Sequence, residues 1–153
     1  MGEIKINSSF FVKMLLVEDN PADARLIIDH FKNSSTKTDI TLIKNGAEAL
    51  DYIYQKGNYK NAPLPNIIIL DMNLPKVEGS IVLETIKNDA NLKNIPVIIF
   101  GTSNDSKEVK DAYNSHANCY IVKPIDYDNF NNILNCIENF WINLVKLPSS
   151  MNH

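Results

Sequence analysis

The stretch Asn66-Ile67-Ile68-Ile69-Leu70-Asp71 decides the fold class of this chain. Its apolar run is too short for a helix and has no polar member, which is typical of a strand covered on both faces of a sheet. Similar short runs recur at residues 14–17, 97–100 and 119–122, and a more alternating run lies at residues 39–43. The sequence therefore predicts five strands, most of them buried on both sides.

The segments between these runs have the apolar spacing of helices. In the first, Ala24, Ile27, Ile28 and Phe31 fall on one helical face, and the Asn20-Pro21 pair is typical of a helix start. Asn45 followed by Glu48 indicates a second capped helix, and shorter helices are predicted at 81–86 and 109–113. The last helix has the longest apolar stripe: Phe130, Ile133, Leu134, Ile137, Trp141, Leu144 and Val145.

This strand–helix alternation predicts an α/β fold. Five β-α units with buried strands imply a doubly wound, five-stranded parallel sheet with helices on both faces. The alternating second strand suits an edge, which gives the flavodoxin-like order 2-1-3-4-5. We assign residues 13–147 to this domain, residues 1–12 to an N-terminal extension and residues 148–153 to a C-terminal tail.

Composition excludes several classes of protein. The chain has 153 residues, 44% hydrophobic and 22% charged, with a net charge of −3. A single arginine, Arg25, and the acidic balance argue against a nucleic-acid partner. No apolar run is long enough to span a membrane, and no secretion leader is evident at the N-terminus. Cys119 and Cys136 have neither metal nor redox spacing, so we expect reduced thiols and a cytoplasmic protein.

Charged side chains follow three of the five predicted strands. Glu18 and Asp19 follow the first strand, Asp71 the third and Lys123 the fifth. In such sheets ligands bind at the carboxyl ends of the strands, so these side chains are expected to converge. Close carboxylates either raise one another's pKa or require a cation; a divalent metal is the simplest solution, and oxygen ligands suit Mg²⁺. An Asp71 carboxylate there could attack phosphorus, while Lys123 pairs with the phosphoryl oxygens.

The motifs resemble the receiver domain of two-component response regulators, of the chemotaxis-regulator type, across residues 13–147. They are the acidic pair, the run Asp71-Met72-Asn73-Leu74-Pro75 with Gly79, and Tyr120-Ile121-Val122-Lys123-Pro124. The resemblance implies that Asp71 accepts phosphate from a sensor histidine kinase. It also implies that Asp19, Asp71 and the Asn73 carbonyl bind Mg²⁺, with Glu18 one layer behind, and that the Lys123–Pro124 bond is cis.

A narrower likeness lies in two further segments. The long loop at residues 55–65 and the ending Asn139-Phe140-Trp141 with Leu147-Pro148 are similar to small single-domain regulators that partner bacterial phytochromes and hybrid kinases. We expect a signalling module with no output domain of its own, because nothing after Pro148 could form one. Its chemistry would be limited to self-phosphorylation and autodephosphorylation, and it would signal by altered protein contacts or onward phosphotransfer.

One position departs from the family pattern. Receivers carry Thr or Ser at the end of the fourth strand, where this chain has Gly101, followed by Thr102 and Ser103. Glycine has no hydroxyl to bond the phosphoryl group. We therefore hypothesise that coupling between Asp71 and the switch aromatic, Tyr120, is weakened or rerouted through a neighbouring hydroxyl.

Two alternative functions remain open from the sequence. One is a degenerate receiver-like scaffold, supported by Gly101 alone. The other is a haloacid-dehalogenase-type phosphatase, which also uses an Asp after a parallel strand but expects a second acid where this chain has Asn73.

The long apolar stripe of the last helix additionally predicts a homodimer through the strand 4–helix 5 side.

Overall fold

The computed structural model describes residues 11–148 and contains one five-stranded, fully parallel sheet. The strand order is β2-β1-β3-β4-β5, as predicted. The strands are β1 Val12–Val17, β2 Thr38–Ile43, β3 Ile67–Asp71, β4 Val97–Gly101 and β5 Cys119–Val122. The helices are α1 Pro21–Lys32, α2 Gly46–Ile53, α3 Gly79–Lys87, α4 Ser106–Asn114 and α5 Tyr127–Ile137. The predicted N-terminal extension lies outside the described residues except for Phe11 and Val12. The predicted C-terminal tail also lies outside them, except for Pro148.

Strand burial follows the order of the sheet. Every residue of the central β3 and β4 is buried, whereas β2 is mostly half-exposed, which agrees with its predicted place at an edge. β5 forms the other edge and has only four residues, of which Val122 is exposed. Because all five strands run in one direction, their carboxyl ends meet along a single rim of the sheet.

Two apolar clusters cover the two faces of the sheet. Along β1, Leu15 packs with α2, α3 and α4, while the next residue, Leu16, packs with α1 and α5. The alternation arises because successive side chains of a strand point to opposite faces. Helices therefore lie on both sides, as the buried character of the strands predicted.

Asparagine caps fix the starts of the first two helices. Asn20 Oδ1 accepts hydrogen bonds from the backbone N–H groups of Ala22 and Asp23, at 2.9 and 3.0 Å. Asn45 Oδ1 accepts one from the Glu48 N–H at 2.8 Å. Both caps were predicted, and the first places the start of α1 directly beside the carboxyl end of β1.

The last helix differs from the predicted single apolar stripe. Beyond α5 the chain continues in π-helical winding over Glu138–Leu144, and the Val145 N–H donates to the Phe140 carbonyl at 3.0 Å. The wider winding rotates the side chains that follow. Trp141 and Ile142 therefore both pack on the core, while Leu144 is 72% exposed, against the prediction.

A buried carboxylate anchors this π-helical segment to α1. Glu138 accepts hydrogen bonds from the hydroxyls of Ser34 and Thr36 and pairs with His30 Nε2 at 2.9 Å. Burial alone would raise the pKa of Glu138, but these hydrogen bonds hold it below its usual value. The chain thus joins the carboxyl end of α1 to the end of α5 through a polar contact that no local pattern predicts.

Candidate functional site

The acidic side chains predicted at the rim do come together. Glu18 and Asp19 directly follow β1, and Asp71 is the last residue of β3, which neighbours β1 in the sheet. One carboxylate oxygen from each of the three lies within 4.8 Å of the others. Glu18 and Asp71 are buried, whereas Asp19 is exposed. This set of hard oxygen donors fits a divalent cation.

The ammonium group of Lys123 lies beside these acids. Its Nζ is 3.0 Å from Glu18 Oε1 and 3.4 Å from Asp71 Oδ2, and the side chain is only 9% exposed. The Lys123–Pro124 peptide bond is trans, so the expected cis bond is wrong for this chain. Lys123 nevertheless reaches the site, because β5 ends directly before it.

A third acid that contacts Lys123, Asp23, was missed by the sequence analysis. Its Oδ2 lies 2.9 Å from Lys123 Nζ, and its side chain is 23% exposed. Asp23 lies in the first turn of α1, where an acidic residue ordinarily indicates only a favourable interaction with the helix dipole. The proximity of this turn to the acidic pair at residues 18–19 was the one signal that could have found it.

The site carries an excess of negative charge. Burial, together with the neighbouring Asp71, raises the pKa of Glu18 to about 8, and Lys123 compensates this only in part. Burial alone would lower the pKa of Lys123, but the hydrogen bond to Asp23 and the charges of Glu18 and Asp71 raise it above its usual value. Lys123 therefore stays charged, while the carboxylates retain the capacity to bind a further cation.

The loop after β3 is arranged around Asp71. The Asn73 N–H donates to Asp71 Oδ1 at 3.0 Å, and Asn73 Nδ2 donates to Thr102 Oγ1 at 2.9 Å. Gly79 begins α3 in close contact with the same loop, because a Cβ there would lie 2.6 Å from Met72 Cα. The glycine of the motif thus lets the loop close over the end of β3.

The departure at Gly101 has a direct structural counterpart. A Cβ on Gly101 would lie 2.5 Å from Tyr120 Cζ and would overlap the phenolic oxygen. The Tyr120 ring therefore points inward into the space that a side chain at position 101 would need. Its hydroxyl donates to the Ser103 carbonyl at 2.8 Å, and burial raises the pKa of Tyr120, so the phenol remains a donor.

This fold and this acidic rim define a class of protein. A model of the response regulator receiver domain family matches residues 14–135, and the chain belongs to that family. Response regulator Rcp1 of Synechocystis is 39% identical over 137 residues, covering 90% of this chain and 93% of that protein. The probable methanogenesis regulatory protein FilR2 of Methanothrix harundinacea is 35% identical and covers 88% and 86%.

Solved structures agree with this assignment. The Mn²⁺-bound form of Rcp1 has a TM-score of 0.87 at 39% identity and covers 90% of this chain and 99% of its own. The phosphorylated cyanobacterial phytochrome response regulator RcpA has a TM-score of 0.89 at 41% identity, with 92% and 100% coverage. The predicted resemblance and fold are confirmed, and the phosphatase alternative finds no support.

The family assignment also fixes the broad class of activity. The chain is a response regulator of two-component signalling, and its family is not a classical enzyme family. The Mn²⁺ in the related structure and the group Glu18, Asp19 and Asp71 both fit a divalent-metal site. Membership also implies a histidine kinase as partner. Among the helices of residues 11–148, none has the length and apolar character needed to traverse a bilayer.

Proposed function

We propose that this chain is a phosphoacceptor in which Asp71 receives a phosphoryl group from a sensor histidine kinase. The observation that carries the proposal is the convergence of Asp71 with two further acids and one ammonium at the rim of the sheet. An oxygen of Asp71 forms a bond to phosphorus while the phosphorus–nitrogen bond of the kinase phosphohistidine breaks, and the imidazole leaves with a proton.

The roles of the other residues follow from their contacts. The Asn73 N–H holds one oxygen of Asp71, and the Lys123 ammonium faces the other, where it can pair with a phosphoryl oxygen. Asp19, Asp71 and the Asn73 carbonyl would hold Mg²⁺, with Glu18 behind them and bonded to Lys123. A bound Mg²⁺ would neutralise charge that develops on the transferring group. Self-phosphorylation from a small donor and autodephosphorylation would need only these same groups.

Phosphorylation with a small-molecule donor tests the proposal. Incubation with acetyl phosphate and Mg²⁺ should add one phosphoryl group to the wild type, detected by intact-protein mass spectrometry, and none to Asp71→Asn. The matched control is Asp39→Asn, which removes an exposed carboxylate from the edge strand β2. Modification that persists in Asp71→Asn, or no modification of the wild type, would refute the phosphoacceptor role, and the second outcome would favour the scaffold.

We propose a phytochrome-like or hybrid sensor kinase as the partner. Support comes from the similarity to Rcp1 and RcpA, and from the loop after α2. In that loop Gln55 Nε2 donates to the Ala62 carbonyl at 2.7 Å, and Tyr52 donates to the Pro63 carbonyl at 3.1 Å, so the segment is tied to the domain. Phosphotransfer from a panel of kinases should be fastest from a phytochrome-type kinase, and equal rates would contradict this. We expect signalling in the cytoplasm, by altered contacts or onward transfer.

The switch residues Gly101, Thr102 and Tyr120 would act differently from those of other receivers. Gly101 offers the phosphoryl group no hydroxyl, whereas Thr102 Oγ1 is already held next to the site by Asn73. We expect Thr102 to supply the missing contact and thereby reroute the coupling to Tyr120. NMR spectra with and without beryllofluoride should show shifts at Tyr120 that vanish when Thr102 and Ser103 are both changed to Ala; undiminished shifts would exclude rerouting.

A homodimer through the strand 4–helix 5 side remains part of the proposal. Tyr113 on α4 is 46% exposed, and the segment after α5 exposes Phe140 and Leu144. Large apolar side chains that stay exposed favour contact with a second copy. Sedimentation at tens of micromolar should give a dimer that Leu144→Ser weakens, with Ile81→Ser on α3 as the matched control. A monomer with and without beryllofluoride would contradict the dimer.

A further inference from the structure

The Lys123 ammonium has three N–H donors, and three carboxylates surround it. Asp23 Oδ2 lies at 2.9 Å, Glu18 Oε1 at 3.0 Å and Asp71 Oδ2 at 3.4 Å from Nζ. Two contacts are therefore close, and the contact to Asp71 is the longest. The donor that faces Asp71 is the one least engaged in the unphosphorylated protein.

We propose that Asp23 is a positioning residue for phosphoryl transfer, which together with Glu18 fixes Lys123 so that its third donor faces the oxygens carried by Asp71. This inference rests on the proposed function. A lysine side chain is long and flexible, and fixing it costs conformational entropy. Because Asp23 and Glu18 already hold the ammonium from two sides, this entropy does not have to be lost when the phosphoryl group binds. Lys123 then reaches the incoming group without rearrangement.

The setting of Asp23 suits this role. Its backbone N–H is bound by the Asn20 cap, so the carboxylate projects from the rigid first turn of α1. Asp23 is not among the described acids that lie close enough together to share a cation, which are Glu18, Asp19 and Asp71. Its influence should therefore reach the phosphoryl group through Lys123 and should leave the cation site intact.

The proposal is tested by measuring, with calorimetry on the full chain, how tightly beryllofluoride binds in the presence of Mg²⁺. Asp23→Leu, which keeps the approximate size but has no acceptor, should weaken beryllofluoride binding about tenfold. Asp23→Asn, whose amide oxygen still accepts from Lys123, should stay within about threefold of the wild type. Mg²⁺ affinity without beryllofluoride should change less than about twofold in both variants, a readout that general damage would not spare.

The matched control is Asp29→Leu on the same helix. Asp29 is 51% exposed and pairs with Arg25 one turn away, so this change removes the same charge far from Lys123. Wild-type binding by Asp23→Leu, tighter binding, or equal losses in the Leu and Asn variants would overturn the positioning role. A parallel loss of Mg²⁺ affinity would do the same. Failure of the wild type itself to bind beryllofluoride would instead refute the proposed function.

Discussion

Replacing Gly101 with Ala should force Tyr120 out of its inward position. The added Cβ would lie 2.5 Å from Tyr120 Cζ, which is too close for the ring to remain. Rotation of the flexible side chain costs less than distortion of the buried strand β4, so we expect the ring to swing outward. The free energy of unfolding then changes by the interactions that the ring loses.

Three contributions set the size of the change. The hydrogen bond from Tyr120 to the Ser103 carbonyl is lost, which costs about 0.5–1.5 kcal/mol. Exposing roughly 50 Å² of ring costs about 1.3 kcal/mol. Alanine in a strand offsets this by about 0.5–1 kcal/mol relative to glycine. Gly101→Ala should therefore lower the free energy of unfolding by about 1–2 kcal/mol.

A double-mutant cycle measured by urea unfolding tests this reasoning. In a Tyr120→Ala background the ring is absent, so Gly101→Ala should stabilise the protein by about 0.5–1 kcal/mol. The coupling energy should be about 2 kcal/mol. Tyr120→Phe is the control, because it keeps the ring in conflict with the Cβ while removing the hydroxyl. A Gly101→Ala cost that is the same with and without the Tyr120 ring would refute the explanation.

Three further predictions concern stability. Glu138→Gln should lower the free energy of unfolding by about 1–3 kcal/mol near neutral pH. Because folding lowers the pKa of Glu138, its carboxylate stabilises the protein above the ordinary carboxyl pKa, and this stabilisation fades as the pH falls. Urea unfolding at about pH 3 should therefore show a smaller difference between the variant and the wild type. Asp71→Asn should stabilise the metal-free protein by about 1 kcal/mol in chelator, because one of two crowded buried acids is removed, and a loss of stability would contradict the charge argument. Lys76→Gly should raise the free energy of unfolding, measured by thermal unfolding, by about 0.5–1 kcal/mol, because φ is 71° at Lys76 and glycine adopts this conformation with less strain. An unchanged free energy would show that the turn is unstrained.

The fold was predictable because its signals are local. Buried strands appear as apolar runs, the edge strand β2 appears as an alternating run, and the asparagine caps lie within three residues of their partners. The position of the site at the carboxyl ends of the strands followed from the topology of the sheet alone. Asp71, Glu18 and Lys123 were found together because parallel strands bring their carboxyl ends together.

The features that escaped prediction depend on contacts between distant elements. Asp23 meets Lys123 across 100 positions of sequence, and Glu138 meets Thr36 across 102. The inward position of Tyr120 depends on the space that Gly101 leaves open. Cysteine is a residue type that is often buried, but Cys136 is exposed because Phe130, Leu134 and Ile137 fill the buried face of α5.

The π-helical segment governs where the end of the described chain is placed. A single-residue deletion within Glu138–Leu144 that left the winding of the other residues unchanged would turn everything downstream by roughly a quarter of a turn. Leu147 would then leave the core, and the Pro148 carbonyl would lose its hydrogen bond from Asn66. The number of residues in this stretch, more than their identity, therefore determines which surface the carboxyl-terminal end covers. Descendants of this sequence that gain or lose one residue here would cover a different surface.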